Sequence, residues 1–170
     1  MSFSAGIKPA EVYSSDDVLS GKAGWRVGQR VQSDDGKEYV FCLVAAGQNL
    51  VSGNIVSLIN NASFGTVAIL ATGAPAPGTA MPLGRAVCSV TASASNYIWV
   101  QVFGSAAVSI TDATASNLPG HIVIPGSVAG AVRGGLATAS SYIEGLTFTA
   151  TASTGATGAM FLSYPRLAPA

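Results

Sequence analysis

The sequence predicts an all-β fold, a small β-barrel or β-sandwich that carries an extended N-terminal arm. Three observations predict it. Short segments rich in β-branched and aromatic residues recur at roughly even spacing, with glycine and proline between them. Outside one short stretch near the N-terminus, no sustained 3.6-residue periodicity occurs. Trp25 to Gln32 alternates with period two, placing Trp25, Val27 and Val31 on one face and Arg26 and Arg30 on the other, as a half-buried strand does.

The elements follow in order. Ser14-Ser15-Asp16-Asp17 starts a short helix, with Ser14 as N-cap and Asp17 at the third helical position, and Gly21 and Gly24 stop it within two turns. After the Trp25–Gln32 strand, Asp34-Asp35-Gly36 supplies a turn, because aspartate and glycine tolerate positive φ. Glu38 to Val44 returns as a strand that is apolar on both faces and therefore central. Further strands are expected at Asn54–Ile59, Thr66–Leu70, Ala86–Thr91, Tyr97–Phe103, Ala107–Thr111, His121–Ile124, Leu146–Thr151 and Ala159–Tyr164. The strongest is Tyr97–Phe103, aromatic or β-branched nearly throughout. Gly73 to Gly78, with two prolines, reads as a loop, and Ala150 to Gly158 as a flexible connection.

Composition narrows the function classes. Charged residues make up 9% of the 170-residue chain, against roughly 25% in ordinary soluble domains. The formal net charge is zero, with no basic excess to neutralise phosphates, so a nucleic-acid binder is not expected. No apolar run approaches the roughly 20 residues of a spanning helix, and the first residues lack the basic-then-apolar order of a secretory signal, so synthesis in the cytoplasm is expected. The charges are uneven: 11 of the 16 lie in residues 1–38. A polar N-terminal segment on a nearly neutral body is either a solvated arm or one that docks on a charged partner.

Candidates for chemistry are few. His121, the single histidine, sits between Pro119-Gly120 and an apolar run, where a backbone or rim contact is expected rather than a general base. Asp16-Asp17 and Asp34-Asp35 are explained by capping and turn formation, and neither pair approaches the six or more oxygens a hard cation prefers. Gly126 to Gly130 lacks the lysine of a phosphate loop. Cys42 and Cys88 have no CxxC spacing; a disulfide and two buried free thiols are both open, with free thiols expected in a reducing cytoplasm. Trp25, Tyr39, Tyr97, Trp99 and Tyr142 could form a sugar-binding platform, but aromatics that alternate along strands are more often cross-strand packing. No catalytic residue, metal site or cofactor is expected. An enzyme reading, such as a hydrolase of surface polymers, would have to use Asp112 and Glu144, the two carboxylates of the body.

Four segments carry a resemblance: Gly47 to Val56, Pro82 to Cys88, Tyr97 to Gly104 and Leu118 to Ile124. Together they run from a turn into a buried strand, through a glycine step, to an aromatic strand ending in glycine, and over residues 36–135 the pattern resembles tailed-bacteriophage capsid decoration (cement) proteins. The resemblance implies a jelly-roll or β-tulip-like protein on the outer surface of the virion, a homotrimer bound to the major capsid protein and stapling neighbouring capsomers. It implies that residues 1–24 are a docking arm, with Lys8, Glu11, Tyr13, Asp16, Asp17 and Lys22 as its partner-binding residues. Residues 25–170 would then be one β-rich domain, with room for an extra lobe within 136–170. Another virion part, such as a head fibre or a tail protein that recognises the host and binds glycans, is the alternative.

Overall fold

The computed structural model describes residues 7–59, 66–69, 81–91, 96–111, 117–135, 141–152 and 157–169. Its elements are β1 (Tyr13–Ser14), α1 (Ser15–Leu19), β2 (Arg30–Gln32), β3 (Glu38–Val44), β4 (Ile55–Ile59), β5 (Thr66–Ile69), β6 (Met81–Ala86), β7 (Asn96–Ser109), β8 (Ile122–Pro125), β9 (Val132–Gly135), β10 (Ser141–Phe148) and β11 (Thr157–Pro169). Among the described residues nine strands share one sheet, and β8 and β9 form a separate ribbon. Among the described residues the strands pair antiparallel except β3 with β5, and the isolated bridge Ile110↔Val132 is also parallel. The sheet curls so far that β7 pairs with β3 as well as with β6 and β11, and its halves face each other across a core. The fold is all-β and sandwich-like.

Alternation along the strands sorts their side chains into two main cores. Val40, Cys42 and Val44 of β3 meet Val56 of β4 and Ile98, Val100 and Val102 of β7 in one core. The other gathers Ile55 and Leu83 with Val108, Met160, Leu162 and Phe148, and is covered by Val123 and Val132 of the ribbon. Ile55 and Val56, adjacent in β4, therefore serve different cores, which is why this strand is apolar on both faces. The ribbon is tied to the sheet through main-chain bonds, Ile55 N–H to the Gly130 carbonyl (2.7 Å) and Thr111 N–H to that of Val132 (3.1 Å).

β7 belongs to both cores. Its first half pairs with β3, from Leu43↔Tyr97 to Glu38↔Phe103, and its second with β11, from Ser163↔Phe103 to Thr157↔Ser109. Between them Gly104 takes φ +97, and a Cβ there would lie 2.8 Å from Lys37 Cγ. The sequence suggests two strands here, Tyr97–Phe103 and Ala107–Thr111, because glycine usually ends one. In the fold the glycine bends a single 14-residue strand. The buried Gln101 amide donates to the carbonyls of Phe103 (3.1 Å) and Ser105 (3.0 Å), and Arg85 Nε donates to that of Ala107 (2.8 Å).

Other boundaries differ from expectation for identifiable reasons. Only Arg30–Gln32 of the segment from Trp25 to Gln32 is strand. Gly28, at φ +83, donates to the Phe41 carbonyl and Gln29 to that of Arg26, so the chain turns before it pairs. Trp25 and Val31 pack inward, whereas Val27 is exposed. The strand expected at Ala86–Thr91 lies instead at Met81–Ala86, where Pro82 precedes the stretch paired with β4 and so removes no bond from that ladder. β9 and the start of β10, rich in glycine, serine and charge, were not expected as strands. β11 runs through Pro165 to Pro169, past a bulge where Gly145 of β10 stands opposite the residues between Leu162 and Arg166. The loop expected at Gly73–Gly78 lies outside the described residues, as do 153–156 of the Ala150–Gly158 connection. Cys42 and Cys88 are free thiols, both buried.

The bulge generates a prediction. Gly145 (φ +72) and Gly36 (φ +77) share a backbone conformation that costs a side-chain-bearing residue ~1–2 kcal/mol. At Gly36 a Cβ would meet nothing within 4 Å, whereas at Gly145 it would lie 2.4 Å from the Ser163 carbonyl oxygen. Gly145→Ala is expected to lower unfolding free energy by at least ~1 kcal/mol more than Gly36→Ala. Urea titration of both variants checks this; equal losses would mean the bulge is not tightly held.

Candidate functional site

The N-terminal segment builds a cleft on an aromatic floor. Trp99 and Phe41, on facing positions of β7 and β3, are fully buried and sit 5.0 Å apart between ring centroids. Tyr97 stacks on Phe41 (5.8 Å, 14°), Tyr13 meets it edge-on (5.5 Å, 78°), and Trp25 meets Trp99 edge-on (5.2 Å, 76°). Such pairs contribute about 0.5–1.5 kcal/mol each beyond the area they bury. Ile7, Tyr13 and Val18 all pack against this cluster, and β1 pairs with β7 through Tyr13↔Tyr97 and Ser14↔Asn96. Residues 7–24 thus lie against the body.

Local chemistry shapes the segment. The capping box expected from the sequence is present: Asp17 N–H donates to Ser14 Oγ (3.2 Å) while Ser14 N–H donates to Asp17 Oδ2 (3.0 Å). These bonds hold the Asp17 carboxyl below the usual aspartate range, the Ser14 hydroxyl being the largest cause. The helix ends after five residues, and Gly21 (φ +75) and Gly24 (φ +68) turn the chain back so that Ala23 N–H reaches the Asp17 carbonyl (3.0 Å). Val18 and Leu19 are neighbours on this short helix, about 100° apart around its axis, so both cannot face the body. Val18 packs inward and Leu19 is 83% exposed.

The resulting cleft has a volume of about 360 Å³. Of the six residues expected to bind a partner, Lys8, Glu11, Tyr13, Asp17 and Lys22 line it, and Asp16 does not; its carbonyl instead accepts from Ser20 N–H (2.9 Å). Val12, Ala23 and Trp25 complete the wall. Lys8 and Glu11 form an exposed ion pair at 3.7 Å. The Tyr13 hydroxyl is raised above its usual pKa, first by burial and then by the Glu11 carboxylate. The indole N–H groups of Trp25 and Trp99 lie close enough to oppose that rise, although Trp99 Nε1 makes no hydrogen bond of good geometry. The cleft therefore offers two ammonium groups, two carboxylates and an aromatic base, and the helix that supplies Asp17 also carries the exposed Leu19. Leu19 escaped the sequence reading, and its signal was the adjacent apolar pair on a helix too short to bury both.

Elsewhere the candidates are accounted for by structure. Tyr39 and Trp99 are core residues, so they cannot form an exposed sugar platform; Tyr142 donates to Glu144 Oε1 (3.0 Å). Glu144 also accepts from Arg166 Nε, which lowers its pKa, and Asp112 lies outside the described residues. Asp35 accepts from Ser33 Oγ and Lys37 Nζ in the β2–β3 turn, and its carboxyl is held at about 2, chiefly by Lys37. Burial pushes the Cys42 thiol up to about 12 and the Cys88 thiol to about 11. His121 is exposed, its backbone N–H donating to the Leu118 carbonyl (3.2 Å). Among the described residues no group of three or more His, Cys, Asp or Glu side chains could hold a metal ion. A scan against protein-family models and searches of curated proteins and of solved structures found no match.

The capping box has a pH signature. Because folding lowers the Asp17 pKa, its contribution is present above the unfolded value near 3.9 and is lost as pH falls through the folded value. The Ser14 amide proton shift is expected to stay constant above pH ~5 and to move with a midpoint below ~3.9. NMR titration reads it directly, and Asp17→Asn should flatten the curve. A midpoint at or above the ordinary aspartate value would contradict the capping account.

Proposed function

We propose that the chain is a capsid decoration protein of a tailed bacteriophage, a non-enzymatic homotrimer that binds the major capsid protein on the outer surface of the head and staples neighbouring capsomers. The observation that carries this reading is Leu19, a wholly apolar side chain presented to solvent on the same short helix that supplies Asp17 to a cleft of mixed charge. An apolar anchor rimmed by polar groups is the usual makeup of an energetically dominant contact between proteins. The concentration of charge in residues 1–38 and the near-neutral remainder support it, since charges around such an anchor orient a partner. So does the pattern over residues 36–135 that resembles decoration proteins. On a lattice of repeated coat subunits a trimer engages several sites at once, so each contact can be modest while the array is held.

The anchorage of residues 7–24 decides how this is tested. Deleting the segment would uncover Phe41, Tyr97 and Trp99, and the damage would not be confined to docking. A point change at Leu19 avoids this. Leu19→Asp is expected to leave the urea midpoint nearly unchanged, because the side chain is already exposed, and to reduce binding to heads assembled without this chain by at least ~10-fold, the scale of one lost anchor. Co-sedimentation with such heads measures it. Undiminished binding by the variant would remove the docking role of this surface, and failure of the unaltered chain to bind would remove the decoration reading itself.

A further inference from the structure

A second cleft, of about 280 Å³, opens where the two cores meet. Its wall takes Leu83 from one core and Val102, with Leu58 packed beside it, from the other. Pro82 and Pro165 add further apolar surface, and Arg30, Tyr164 and Arg166 complete the lining. Tyr164 lies in the bulge of β11, at φ +50, the one residue other than glycine with positive φ among the described residues. A side chain kept in that conformation at a cost of about 1–2 kcal/mol must be held by its surroundings. Phe103 packs against its ring at 5.4 Å, Arg30 stands over the ring with its guanidinium carbon 5.8 Å from the centroid, and its hydroxyl lies beside the Glu38 carboxylate.

The two arginines differ in one respect. Arg166 is committed to Glu144 through an ion pair. Arg30 forms no ion pair with any carboxylate among the described residues, and it lines the cleft with its guanidinium over the tyrosine ring. An exposed guanidinium beside an apolar cleft fits an apolar group that ends in a carboxylate, because the planar donors of arginine bind carboxylates in pairs. Arg30, on edge strand β2, can turn toward such a group without disturbing the sheet.

We propose that this cleft binds an apolar carboxylate, its hydrocarbon part against Leu58 and Pro82, over the buried Leu83 and Val102, and its carboxylate on Arg30. The carboxylate belongs either to a small free acid or to the C-terminus of a polypeptide ending in an apolar residue. The proposal is independent of the docking surface at the N-terminal segment and stands or falls apart from it.

Backbone amide shifts of the ¹⁵N-labelled protein, titrated with 3-phenylpropanoate and with its neutral amide, test it. The acid is expected to shift the amides of Arg30, Leu58, Leu83 and Val102 saturably and to bind at least ~10-fold more tightly than the amide, the scale of one charge-assisted pair. Arg30→Gln should abolish that preference while amides elsewhere keep their positions, and Arg30→Lys should retain part of it. Short peptides ending in phenylalanine, with free or amidated C-termini, separate the two sources: tighter binding by the free peptide than by the acid identifies a chain end, and the reverse identifies a small acid. Equal binding of acid and amide, shifts confined to other residues, or no saturation at tens of millimolar would overturn the proposal.

Discussion

The whole arrangement depends on bending β7 without breaking it. A strand shared by two cores must present one set of side chains to each, and a flat strand of this length would carry both halves away in the same plane. Gly104 makes the bend, in a conformation and at a proximity to Lys37 that a side chain would not tolerate. Three carbonyls around the bend, those of Phe103, Ser105 and Ala107, are met by side chains, two by Gln101 and one by Arg85. These bonds tie Gln101 and Arg85 to the backbone of the bent strand.

From that bend the rest follows. The straight first half of β7 offers Tyr97 and Trp99 to the outside of the sheet, where β3 adds Phe41 and the N-terminal segment adds Tyr13 and Trp25. The second half carries β11, and the divergence of the two halves leaves room for the cleft beneath Arg30 and Tyr164. Two clefts with different chemistry thus arise from one strand, the first on its outer face and the second at the seam its bend creates.

Much of this was legible in the sequence, and the parts that were not have a common cause. The all-β class, strand Glu38–Val44, the Asp34–Gly36 turn and the Ser14–Asp17 capping box rest on neighbouring residues, so the linear pattern displays them. Reading two strands in β7, a full strand from Trp25, and none at β9 failed because each depends on distant partners. Gly104 bends instead of breaking because β3 and β11 take over from one another. Gly28 stops a strand because Phe41 accepts its N–H. The candidate site divides in the same way. Its charged residues could be named from the polar N-terminal segment, and five of the six line one cleft. The cleft itself could not be foreseen, because it exists through the pairing of Tyr13 with Tyr97, a contact between positions far apart in the chain. The bulge that displays Tyr164 was hidden in the same way.

The two cysteines carry a consequence for the lifetime of the molecule. Attack on oxidants and exchange with disulfides require an accessible thiolate, and burial among apolar side chains denies both the ionisation and the approach. While the chain is folded, burial protects both cysteines in the thiol form. Its persistence is then governed by how seldom the curled sheet opens, a kinetic property, and not by the redox potential of the place where it resides.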